Sequence, residues 1–78
     1  PPPQPQQDVW LGTLLPDGQG GYELELVSGR RWPLITLEPE LSSWLAHQER
    51  PKNVELLAVA NPWGPWLRGI SLQGSRGI

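Results

Sequence analysis

The sequence predicts a mainly-β domain, with five short strands closed into a small barrel and one helix between the third and fourth. Three observations predict it. Short β-prone runs recur between clusters of Gly, Pro, Asn and Asp. One run, Tyr22–Val27, alternates apolar and acidic residues with the period of two that marks a half-buried strand. One stretch alone, near Glu38–Glu49, carries helical spacing.

The first strand is Val9–Leu15, apolar and interrupted by Gly12. A glycine inside a strand marks a bulge or sharp bend. Pro16–Gly21 (PDGQGG) is a turn by composition. In the second strand, Tyr22, Leu24 and Leu26 share one face and Glu23 and Glu25 the other. Ser28-Gly29 turns the chain into a third strand, Arg31–Leu37, in which Pro33 cannot donate to a ladder and so marks an edge or a bulge.

Glu38-Pro39 resembles a helix start, with Pro at the first helical position. Glu38 and Glu40 put negative charge where the helix dipole favours it. Leu41, Trp44 and Leu45 form the apolar stripe, and the helix is expected to end near Glu49, before Pro51. Asn53–Ala60 is almost continuously apolar, as a strand covered on both faces would be. Asn61–Pro65 (NPWGP) reads as a rigid turn and Trp66–Leu72 as the fifth strand.

The chain's 78 residues fit one domain. Residues 1–7 (PPPQPQQ) read as an extended Pro/Gln-rich linker, 8–72 as the barrel, and 73–78 as a frayed tail. The Pro-rich start also fits a ligand of SH3 or WW domains. The chain has no Met and begins with proline, so it is expected to be a domain of a larger protein. Without cysteine, neither a disulfide nor a Cys-based zinc site can staple it. Five tryptophans and the aliphatic residues are therefore the expected core. No apolar run approaches membrane-spanning length. The compartment stays open.

The element order resembles an OB-fold, the five-stranded Greek-key barrel with a helix after its third strand. The resemblance covers Asp8–Leu72 and rests on element order, element lengths and Gly12 in the first strand. An SH3-like barrel is the rival, but its only helical turn is short and late. A fold-level match says little about function. It implies a ligand surface made by the loop between strands one and two, the loop between strands four and five, and the face of strands two and three.

No catalytic constellation emerges. His47 stands alone on the helix, and Ser28, Ser42, Ser43, Ser71 and Ser75 lack a nucleophile-elbow context. Gly18, Gly20 and Gly21 precede a strand rather than a helix and lack the Lys-Ser/Thr of a phosphate loop. Glu23 and Glu25 read as a solvated strand face. No enzyme activity, metal or cofactor is expected. The candidate binding residues are Trp63, Trp66 and Arg68 around the last loop, with Arg30, Arg31, Trp32 and Tyr22 on strands two and three.

Exposed aromatics and arginines there suit single-stranded nucleic acid, by stacking and phosphate contact. The same residue types suit a protein partner or another domain of the parent chain. A third reading has Trp63 and Trp66 cap the barrel. The net charge of −2 and pI of about 5.2, together with Glu23 and Glu25, weigh against a polyanion.

Overall fold

The computed structural model describes residues 6–48, 50–61 and 66–77. The chain forms β1 (Asp8–Pro16), β2 (Tyr22–Glu25), β3 (Arg31–Thr36), α1 (Pro39–Ala46), β4 (Lys52–Ala60) and β5 (Leu67–Gly77). The strands close into a barrel in the order β1-β2-β3-β5-β4, with β4 returning to β1. The pairing of β3 with β5 is parallel and every other pairing is antiparallel. The expected architecture is therefore present: a mainly-β, five-stranded barrel with one helix between strands three and four.

The alternation in β2 works as read, with Leu24 fully buried and Glu23 and Glu25 turned outward into ion pairs with Arg31. The strand stops at Glu25, two residues early. There the chain turns back: Leu26 N–H donates to the Arg30 carbonyl and Gly29 N–H to the Leu26 carbonyl, each at 2.9 Å. Pro33 sits opposite Glu23 on β2, while pairing to β5 begins only at Leu34. Its missing donor thus falls where β3 has no strand partner on that side among the described residues.

Gly12 lies where β1 passes beneath β2. A Cβ there would stand 2.5 Å from the Glu25 carbonyl oxygen. Close backbone approach, and not only bending, is what requires glycine.

The helix is shorter than expected. Its N-cap Glu38 is extended and makes no side-chain cap, Pro39 occupies the first turn, and Ala46 is the last helical residue. Gln48 N–H then donates to the Leu45 carbonyl at 3.0 Å, and the Gln48 amide to the Trp44 carbonyl at 3.1 Å. The Tyr22 hydroxyl takes the Leu45 carbonyl and, at 2.8 Å, the Gln48 carbonyl. These contacts satisfy C-terminal carbonyls that a further turn would have used. The expected end at Glu49 lies outside the described residues.

Two further expectations change. The β4 strand alternates: Val54, Leu56 and Ala58 are buried, and Asn53 and Glu55 are exposed. Its aliphatic Leu57 and Val59, only half-covered, hid that period. The 73–78 tail is not frayed through Gly77, because β5 continues along β4 to the pair Lys52↔Gly77. A long β4 offers a ladder for residues whose own composition signals no strand.

The buried core is aliphatic: Leu14, Leu24, Leu41, Leu45, Val54, Leu56, Ala58 and Leu67. Trp10, Trp32 and Trp44 pack against its margin, half-buried. Five strands enclose a narrow interior, and indole rings are seldom wholly buried. Leu41 closes one end over Gly69, where a Cβ would stand 2.7 Å from the Leu41 Cδ2 atom. Trp10 and Trp32 meet edge-to-face at the end where β3 begins, centroids 5.5 Å apart.

Candidate functional site

The anticipated aromatic and basic residues do not gather into one surface. Tyr22 faces inward and ties β2 to the end of α1 through its hydroxyl. Trp32 also faces inward, against Trp10 and the core. The indole Nε1 atoms of Trp10, Trp32 and Trp66 are buried and meet no acceptor among the described residues. Trp66 is half-buried just ahead of β5, and its carbonyl accepts from Asn61 N–H at 3.0 Å. Trp63 and the turn around it lie outside the described residues.

The arginines divide as well. Arg31 is held by two carboxylates, Nε to Glu25 at 2.9 Å and Nη1 to Glu23 at 3.8 Å. Arg68 lies 3.8 Å from Glu38, at the start of α1. Arg30 forms no ion pair among the described residues, and its guanidinium carbon sits 4.1 Å over the Trp32 ring. The outward face of β2 and β3 is thus Glu23, Glu25, Arg31, Pro33 and Ile35, with no aromatic residue among those described. His47, expected on the helix, is its C-cap; it is exposed, its Nδ1 donating to the Ser43 carbonyl at 2.7 Å.

A different surface stands out. β1 pairs with β2 only over Thr13–Pro16, although it pairs with β4 over Asp8–Leu14. Above Gly12 the two neighbours part, because β2 turns into its hairpin after Glu25. Beside the gap lies an outward groove of about 740 Å³, with Leu11, Thr13, Asn53 and Glu55 of the adjacent β1 and β4 along its floor, Leu26 and Val27 on the β2 side, and Gly74, Ser75 and Arg76 of β5 on the other. Thr13 Oγ1 donates to Asn53 Oδ1 across its floor at 3.1 Å. Val27 is 100% exposed, Leu11 57% and Val9 50%. Val9 and Leu11 share the outward row of β1.

Nothing in composition or charge marks this surface, yet half of it is legible in the strand period. In Asp8-Val9-Trp10-Leu11-Gly12-Thr13-Leu14, period two puts Val9 and Leu11 opposite the core-facing Trp10 and Leu14. The parting of β1 from β2 left no mark in composition.

Among the described residues no helix is long and apolar enough to cross a membrane. The chain matches no protein-family model, and no curated protein and no solved structure shows significant similarity to it.

Proposed function

We propose that this chain is a non-catalytic protein-docking module, and that its docking surface is the groove where β1 parts from the β2–β3 hairpin. One observation carries the reading: Leu11 and the wholly exposed Val27 line that groove, and Val9 extends its aliphatic row. Contiguous exposed apolar groups beside a polar floor suit a protein partner. The paired state of Arg31 and Arg68 supports it further, since ion-paired arginines offer little to phosphate.

A second reading keeps one favourable observation. Arg30 over Trp32 is a cation stacked on an aromatic ring, and the barrel order with parallel β3 and β5 suits an OB-fold, whose common ligand is single-stranded nucleic acid.

Two experiments separate the readings. A photoreactive benzoylphenylalanine in place of Leu11 should yield protein adducts, and the same group in place of the loop residue Gln19 should not. A labelled oligonucleotide titrated at low salt should show no binding. Oligonucleotide affinity that falls with salt and disappears in Arg30→Ala would overturn the docking reading in favour of the second.

A further inference from the structure

Among the described residues the two longest open strand edges lie on β1 and β5. β1 has no strand partner on its β2 side over Asp8–Gly12. β5 has none on its β3 side beyond Gly69, although it continues to Gly77. The two are guarded differently. Helix α1 borders Ile70, Ser71 and Leu72, and the remainder of that edge is Gln73, Gly74, Ser75, Arg76 and Gly77. Glycine and charge make it a poor template. The β1 edge has no Lys, no Pro and no bulge; its one charge, Asp8, and its one glycine, Gly12, stand at its two ends, and its outward side chains are Val9 and Leu11. An unguarded edge of this kind recruits another strand.

We propose that a second copy of this chain occupies the β1 edge, pairing antiparallel about a two-fold axis at Trp10. This rests on the reading of that surface as a protein-docking site. The edge is complementary to itself. In this register Val9 stands opposite Leu11 of the second copy, aliphatic against aliphatic. Asp8 stands opposite Gly12 of the second copy, which presents no side chain of its own to that single charge. Trp10 stands opposite itself, its ring turned into its own barrel. The backbone agrees as well. Outward amide and carbonyl groups occur at alternate residues, and this axis sets residues of the same set opposite one another. Sliding the register by two residues leaves only part of Asp8–Gly12 paired. An isologous contact of this form closes on itself and does not propagate into fibres. So short an edge buries less than the roughly 1,200 Å² of a standard interface, so the dimer forms with rising concentration.

Sedimentation equilibrium over a series reaching millimolar chain should show a mass rising from 8.7 kDa towards twice that value. Leu11→Lys, on an outward position, should stay monomeric throughout while keeping the circular dichroism spectrum and melting point of the parent. The chain has no cysteine of its own, so Val9→Cys and Leu11→Cys proteins can be mixed under mild oxidation. The mixed disulfide should exceed either self-disulfide. A monomer at every concentration overturns the proposal, as does a dimer indifferent to Leu11→Lys. Equal disulfide yields overturn the register. A monomer whose Leu11 photoprobe still captures a different protein overturns self-pairing and leaves the docking reading standing. A monomer with no adducts removes both.

Discussion

Gly12→Ala tests how β1 and β2 meet. The added Cβ would lie 2.5 Å from the Glu25 carbonyl oxygen, 3.1 Å from Leu24 Cδ1 and 3.2 Å from the Glu25 carbonyl carbon. To reach an ordinary 3.4 Å contact the two backbones must separate by about 0.9 Å. The nearest obstacle is backbone, beside the Thr13↔Glu25 pair, so no side chain can rotate away. Overpacking of this kind costs about 1–3 kcal/mol. Alanine also restricts the unfolded chain, which favours folding by about 0.4–1 kcal/mol. The steric cost wins, leaving a net loss of roughly 1–2 kcal/mol. In a domain of this size each kcal/mol lowers Tm by about 4–8 °C, so a fall of roughly 4–16 °C is expected by differential scanning calorimetry. For 78 residues the total stability is on the order of 4–12 kcal/mol, so the variant stays folded at room temperature. Amide shifts should concentrate at Thr13, Leu24 and Glu25. Gly18→Ala is the control: its φ is 81° and nothing lies within 4 Å of the added carbon, so any loss comes from local backbone strain alone. Its shifts should stay within the β1–β2 loop. A Gly12→Ala Tm equal to or above the parent's would refute the close-approach argument.

Three further outcomes follow from single contacts. Tyr22→Phe removes the one hydroxyl that serves the Leu45 and Gln48 carbonyls, and should cost about 0.5–1.5 kcal/mol by chemical denaturation, with faster amide exchange at the end of α1; unchanged exchange there would deny the contact a role. Asp17→Ala strips the acceptor that holds Gln19 N–H at 2.7 Å and Gly21 N–H at 2.9 Å, and should lower stability by about 1 kcal/mol while loosening only the β1–β2 loop in relaxation measurements. Arg31→Ala should cost less than about 1 kcal/mol, because its pairs with Glu23 and Glu25 are solvent-exposed, and the difference from the parent should shrink in molar salt.

The fate of the tryptophans shows how far local pattern reaches. Their number suggested both a core and a ligand surface, and composition could not divide the roles. Leu14, Leu24 and Leu56 fill the interior, while Trp10 and Trp32 close one end with their Nε1 atoms turned away from solvent. Ring size decides this: a narrow barrel takes leucine between its walls and indole only at its mouth. Arg31 is similar. Its charge was plain in the sequence, but its partners lie across a hairpin whose register sets Glu25 opposite Arg31.

The chain's own pattern was enough for the five strands, the helix after the third and the inward face of β2. Each depends on neighbours within a few residues, where period, turn chemistry and caps act. Tertiary structure alone decided that β1 continues past the end of β2, that residues 73–77 find a partner in β4, and that Leu11 and Val27 border one groove. Those outcomes depend on pairing between strands distant in sequence, and the groove exists because β1 is longer than the strand beside it.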